Sequence, residues 1–280
     1  MSILLATVIW GSSFFIMKDT LESVDILRLL AIRFSIAAVL LALLFISKLR
    51  LLDWGYIRDG SFFGALLFAA YVIQTYGLRF TTPGKNAFLT AVYCLIVPLF
   101  GWIFTKRAPT RDSALAAFLC ICGIALVSLS GGEMSSMGKG DAMSLLGGFF
   151  FAAHIYAVSR LLRGRDVILI TTVQFASAAV LAWLFGAFFA DSGAVILSGG
   201  ALVSLLYLGI FATAATLLLQ NMGQKYLPAP TTALLLSLEA VFGVLFSVVF
   251  FGERPTLRLL IGFALIFGAI FVSEGKRKEV

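Results

Sequence analysis

Gly77-Leu78-Arg79-Phe80, followed by Ala87, Leu89, Leu99, Phe104 and Pro109-Thr110, returns later in the chain as Gly223-Gln224-Lys225-Tyr226, followed by Ala233, Leu235, Leu245, Phe250 and Pro255-Thr256. One offset of 146 residues aligns the two passages without a gap, and self-similarity at a fixed spacing marks an internal duplication. The flanks repeat as well. Arg33-Phe34 with Ala37-Ala38-Val39-Leu40 matches Gln174-Phe175 with Ala178-Ala179-Val180-Leu181 at an offset of 141, and Gln74 matches Gln220 at 146. The slip between offsets is absorbed in loops, so the duplication covers most of each half. Polar residues and prolines align along with the leucines, which a chance likeness of apolar helices does not produce.

Around these passages the composition belongs to lipid. Hydrophobic residues make up 61% of the chain and charged residues 12%, with a mean hydropathy of +1.04. A soluble domain holds roughly 45–50% and 25%. Charges gather in short clusters between apolar runs near 2–17, 26–46, 60–78, 86–105, 113–130, 142–159, 167–189, 200–221, 230–251 and 257–273. Such runs suit helices that cross about 30 Å of hydrocarbon at 1.5 Å per residue. Thr82-Pro83-Gly84, Ala108-Pro109-Thr110, Gly131-Gly132, Pro228-Ala229-Pro230 and Arg254-Pro255-Thr256 punctuate them. The expected fold is an all-α integral membrane protein of ten transmembrane helices. Five spans per half, an odd number, make the second half enter the bilayer from the opposite side. The expected units are thus two inverted five-helix repeats, 1–132 and 138–275, and a cytoplasmic tail, 276–280.

Charge sets the orientation. The net charge of +7 comes from lysines and arginines that flank spans and form no patch with interleaved aromatics, so no nucleic-acid partner is expected. Lys48, Arg50, Arg58, Lys106, Arg107, Arg111, Arg160, Arg163, Arg165, Lys225, Lys276, Arg277 and Lys278 fall on one side of the ten-span arrangement. Lys18, Arg28, Arg79, Lys85, Lys139, Arg254 and Arg258 fall on the other. The positive-inside rule then places both termini in the cytoplasm of a bacterial inner membrane. The first span has no basic flank or small-residue cleavage site and reads as a retained helix.

Chemistry is sought among polar groups at membrane depth, where an ionisable side chain costs at least about 2.5 kcal/mol. Glu239, the one carboxylate near the middle of a span, reads as a counter-ion for a substrate amine, a proton-binding group, or a hydrogen-bonded packing acid. Arg33 either snorkels to the interface or faces a cavity, pairing with Glu239 or gripping a substrate carboxylate. His154 suits a proton relay or a packing role. Gln74, Gln220 and Gln174 offer amides for cavity lining or interhelical bonds. Trp10, Ser12, Ser13, Tyr71, Tyr93, Tyr156 and Tyr207 complete the candidates, and Tyr93 is the duplicate-equivalent of Glu239 at offset 146. Cys94, Cys120 and Cys122 lie in apolar runs and read as packing residues. Gly60, Gly64, Gly123, Gly147, Gly148, Gly243, Gly262 and Gly268 read as close-approach positions between helices.

Trp10-Gly11-Ser12-Ser13-Phe14, Gln74-Thr75-Tyr76-Gly77-Leu78 running into Thr81-Thr82 and Asn86-Ala87-Phe88-Leu89, Ser237-Leu238-Glu239, and Phe251-Gly252-Glu253-Arg254 resemble, in order and spacing, the drug/metabolite transporter superfamily, specifically its ten-helix EamA branch. The resemblance spans essentially the whole chain. It implies inverted five-helix repeats, cytoplasmic termini, and a central cavity lined mainly by the first four helices of each repeat. It also implies export of amino acids, related metabolites or toxic amphiphiles. Ala240 stands where many relatives carry proline, so the helix beside Glu239 is expected to be more regular than theirs.

The sequence carries no Walker-type glycine loop, metal-ligand spacing or nucleophile elbow, so no enzyme activity, metal or cofactor is expected. The expected activity is secondary active export of amino acids or related small amphiphiles by alternating access, with protons as the coupling ion at Glu239. The alternative is an uncoupled facilitator or channel. Small-molecule substrate and membrane lipid are the expected partners, and oligomeric state has no readable signal.

Overall fold

A computed structural model describes residues 1–128, 137–190, 199–251 and 256–274. Every regular element among them is helical. In the first half α1 (Ser2–Thr20), α2 (Ile26–Leu44) and α3 (Trp54–Arg79) are continuous, with a 3-10 turn at Ile46–Leu51 before α3. The fourth predicted span is two helices, α4 (Pro83–Thr90) and α5 (Tyr93–Thr105), and α6 (Arg111–Ser128) follows. In the second half α7 (Lys139–Leu161) and α8 (Val167–Phe189) are continuous, and α9 (Gly199–Gly209) runs into α10 (Thr216–Gln224) through a π-helical turn at Ile210–Ala215. The chain then forms α11 (Ala229–Leu236), α12 (Leu238–Phe251) and α13 (Leu257–Glu274). The Gly131-Gly132 turn, Gly252 to Pro255 and the 276–280 tail lie outside the described residues.

Seven stretches among the described residues are long and apolar enough to cross a bilayer: Ser2–Thr20, Ile26–Leu44, Trp54–Arg79, Lys85–Thr105, Lys139–Leu161, Val167–Phe189 and Gly199–Gln224. Ala229–Gly243 and Leu260–Val272 are apolar but shorter. Helix is what lipid demands, since each backbone polar group must be satisfied within its own segment. Local signals fix the starts. Asp25 accepts from the amides of Leu27 and Arg28, Asp166 from those of Ile168 and Leu169, and Thr82 from that of Lys85 with Pro83 in the first turn.

Two helix breaks shape the interior. α4 and α5 part at Ala91–Val92 and α11 and α12 at Ser237, and 91 and 237 are equivalent positions at the 146-residue offset. Neither break contains proline. The regular helix expected beside Glu239 is therefore interrupted one turn ahead of Ala240. There the Ser237 hydroxyl donates to the Leu234 carbonyl at 2.7 Å and lies 2.9 Å from Cys120 Sγ, competing with the helical ladder for its own backbone.

The halves pack by exchanging partners. α3 lies along α7 and α8, and its equivalent, α9 through α10, lies along α1 and α2. Equivalent glycines make the contacts. A Cβ on Gly77 would stand 2.6 Å from Ser144 Oγ, and one on Gly223 would stand 2.4 Å from the Ile3 side chain, so both helix pairs require glycine-close approach. Gly60, Gly64, Gly123, Gly147 and Gly148 are also close-packed, whereas a Cβ on Gly268 would meet nothing within 4 Å. α6 and α13 pack on each other. Cys94 and Cys120 are buried and Cys122 half-buried, all as free thiols.

Charges stitch both ends. At one end Lys48 pairs with Asp166, and Arg165 reaches Asp59 at 3.1 Å and Asp53 at 3.6 Å. At the other Lys85 pairs with Asp141 at 2.7 Å, Thr81 donates to the same carboxylate, and Lys18 donates to the Leu78 and Thr81 carbonyls. The loops that sequence charge assigns to one side thus meet one another.

Candidate functional site

The breaks at 91 and 237 place Tyr93 in the first turn of α5 and Glu239 in the first turn of α12, and the two meet. Tyr93 Oη donates to Glu239 Oε1 at 3.2 Å. Residues at equivalent positions of the duplication therefore touch. Glu239 is 6% exposed and Tyr93 4%, and both face a central cleft.

Arg33 enters the same cleft from α2 and is 1% exposed. The interface-snorkelling alternative is thereby removed. Its guanidinium donates through Nε to Thr213 Oγ1 at 2.8 Å and through an Nη to the Ala212 carbonyl at 3.3 Å, and it lies 4.7 Å from the centre of the Tyr71 ring. The π-helical turn supplies these acceptors. The Ala212 carbonyl also accepts from Trp10 Nε1 at 2.9 Å, and the Thr213 hydroxyl donates to the Leu208 carbonyl; π-turns of this kind recur at functional sites. All of Arg33's partners are neutral. No ion pair joins Arg33 to Glu239 among the described residues, so the pairing that was one alternative for Arg33 is not formed. A buried cation and a buried carboxyl group instead border one cleft, each held by neutral groups, in a setting where an uncompensated charge is expensive.

Trp10, Ser13, Tyr71, Gln74 and Gln220 complete the predicted residues that line the cleft. Gln74 donates to Thr90 Oγ1 at 3.2 Å, and Gln220 donates to Gln224 Oε1 at 2.9 Å. The cavity is about 50 Å³ in volume, room for one or two waters at about 30 Å³ each.

The other candidates lie elsewhere. Gln174 is buried between α8 and α10, where Asn221 donates to its Oε1 at 3.3 Å and to Thr171 at 2.9 Å. His154 is buried edge-on to Phe63, with ring centres 6.2 Å apart. Ser12 and Tyr207 bond each other at 2.6 Å, away from the cleft lining. Tyr156 stacks on Phe104 and borders a different cavity. Sequence reading missed Thr213, Ala212 and Thr90. The signal available for the first two was that small residues at 212–214 replace the Leu66, Leu67 and Phe68 of the other copy.

An all-helical membrane-spanning bundle around a polar, charge-bearing cleft defines a membrane transporter. The chain matches the EamA-like transporter family over residues 1–129 and 138–274, and it belongs to that family. It is 29% identical over 268 residues to a protein of Archaeoglobus fulgidus named an uncharacterized transporter, covering 96% of this chain and 83% of that one. It is 25% identical to the uncharacterized transporter YetK of Bacillus subtilis, covering 99% and 87%. One solved protein structure superposes with a TM-score of 0.80 over 99% of this chain and 98% of its own, at 17% identity; that likeness concerns the fold alone.

Proposed function

We propose that the protein is a secondary carrier that exports amino acids or related small amphiphilic metabolites by alternating access, with protons exchanged at Glu239. One observation carries the reading: Arg33 and Glu239 are both withdrawn from water, line one cleft, and are not paired with each other. A zwitterion supplies the missing partner of each. Its carboxylate takes the fork of Arg33, and its ammonium takes Glu239 in place of a proton. Nucleotide sugars and sugar phosphates would call for more than one cation in the cleft, and Arg33 is the one cation among its lining residues.

The transport cycle follows from the duplication. Ten helices form two inverted five-helix repeats, 1–132 and 138–275, that rock about the Tyr93–Glu239 contact. The exchange of partners between halves and the meeting of equivalent residues support this arrangement. The volume of the cleft supports a closed state that must widen to admit substrate. Both termini, with the 276–280 tail, lie in the cytoplasm of the inner membrane, as the loop charges favour.

Counterflow in proteoliposomes tests the reading, with an amino-acid panel inside and labelled substrate outside. A carrier exchanges one molecule for another and saturates. Flux that neither saturates nor accelerates with internal substrate would establish the uncoupled facilitator instead.

A further inference from the structure

The end of α7 and the segment joining α10 to α11 enclose a second cavity, about 370 Å³ in volume, that shares no lining residue with the central cleft. Arg160, Arg163 and Lys225, all exposed, form its rim, and its lining contains no carboxylate. At the same end Lys48 pairs with Asp166, Arg165 with Asp53 and Asp59, and Arg58 with Asp59. Arg160, Arg163 and Lys225 enter no ion pair among the described residues. Three cations around a hollow without a counter-ion leave a positive potential that focuses an anion there.

Two observations give the anion its class. Tyr156 lines the cavity, and Arg160 lies 5.9 Å from its ring centre. A phosphate, with more acceptor oxygens than a carboxylate, can take two arginine forks and a lysine together. The surroundings are also those of the lipid interface. The Tyr156 ring stacks on Phe104 with centres 5.3 Å apart, and Phe104, Leu161, Met222 and Tyr226 are exposed apolar or aromatic side chains. Aromatic rings beside a basic hollow suit the boundary between headgroups and acyl chains.

We propose that this cavity binds the phosphate group of an acidic phospholipid, with Arg160, Arg163 and Lys225 on the phosphate and the Phe104 and Tyr226 rings along the glycerol and first acyl carbons. The site is independent of what the central cleft carries. The test titrates the purified full-length protein in neutral detergent with phosphatidylglycerol, phosphatidylcholine and glycerol 3-phosphate, reading retained lipid by native mass spectrometry and the shift in thermal unfolding. Phosphatidylglycerol is expected to be retained and to stabilise, and the other two are not. Arg163→Gln and Lys225→Gln each weaken phosphatidylglycerol binding roughly fivefold, and together on the order of twentyfold. The charge-matched pair Arg50→Gln and Arg58→Gln, at the same end, leaves binding within about twofold, as positions remote from the proposed site should. Should the double variant fold poorly, Lys225→Gln alone and the loss of binding with added salt carry the same test. Equal responses to the two phospholipids, or equal losses in both variant pairs, overturn the site; stabilisation by glycerol 3-phosphate to the same extent overturns the lipid as its ligand.

Discussion

Replacing Arg33 by methionine separates a ligand-binding cation from a structural tie. The substitution removes a charge-assisted bond to Thr213 at 2.8 Å, a longer one to the Ala212 carbonyl at 3.3 Å, and the stacking on Tyr71 at 4.7 Å. The first bond contributes about 1.5–3 kcal/mol, the second less, and a desolvated cation–π contact about 2 kcal/mol. Against them stands a desolvation cost of several kcal/mol for a guanidinium with no carboxylate beside it. The opposing contributions nearly cancel. Thr213 keeps its bond to Leu208, and Ala212 keeps Trp10, so the substitution orphans neither group. The expected change in stability is within about 2 kcal/mol of zero, and methionine of similar length keeps the cleft packed.

Substrate binding is expected to behave differently. Truncating one partner of a buried, hydrogen-bonded charge pair costs about 2–5 kcal/mol, a loss of thirtyfold or more in apparent affinity. Thermal unfolding in detergent reads the first quantity, and substrate-dependent stabilisation and counterflow read the second. Arg33→Lys should recover only part of the binding, because a point charge lacks the two-pronged geometry. A loss of stability beyond about 4 kcal/mol, with counterflow intact in the protein that remains folded, would refute the assignment and leave Arg33 as a brace between α2 and the π-helical turn.

Four further outcomes are expected. Glu239→Gln should abolish substrate movement driven by a pH gradient while sparing exchange of substrate for substrate, and transport still driven by the gradient would remove Glu239 from coupling. Tyr93→Phe takes the donor from a buried carboxyl oxygen at 3.2 Å and should cost about 1–3 kcal/mol of stability, readable as a lowered unfolding temperature. A Cβ on Gly11 would lie 2.7 Å from Phe242 Cβ and from the Gly243 nitrogen, whereas one on Gly101 meets nothing within 4 Å. Gly11→Ala should therefore destabilise by about 1–3 kcal/mol, while Gly101→Ala changes unfolding little. Burial pushes the Asp166 carboxyl up, but the bond from Lys48 and the amides of Leu169 and Ile168 outweigh it and hold it below the usual carboxylate range. Its contribution is complete above the unfolded value of about 3.9 and is lost as pH falls through the lower folded one. Asp166→Asn should flatten that acid limb of the stability profile.

The duplication was legible because it needs only residue identities, and with it came the equivalence of Tyr93 and Glu239. What the copies do at those positions was harder to read. The breaks at 91 and 237 carry neither proline nor a glycine pair. At 237 a serine hydroxyl competes for the Leu234 carbonyl, a contest that a lone serine in an apolar run does not announce. Facing was illegible too. Spans in lipid are apolar on the lipid side as well as the packed side, so periodicity does not distinguish them, and nothing local told Gln220, on the cleft, from Gln174, locked between helices by Asn221. Arg33 was read with two open fates because its neutral acceptors come from a π-helical turn 180 residues away in sequence.

That turn shows where the two copies have parted. Position 33 is arginine in one copy and glutamine, Gln174, in the other, and the segment each could address differs in the same sense. The copy holding Leu66 and Leu67 runs as regular helix, and the copy holding Ala212 and Thr213 opens into the π-helical turn that cradles the guanidinium. A cation on one side and its acceptors on the other are a matched pair of departures, since the buried guanidinium without them would lose its hydrogen-bond acceptors. Tyr93 and Glu239 are a second matched pair, a donor and an acceptor at equivalent positions in contact. Shared parts of the repeats hold the halves together through glycine-close packing. Where they diverge, they place a positive and an ionisable acidic group in the lining of one cleft, which makes the two copies' contributions to that cleft chemically unlike.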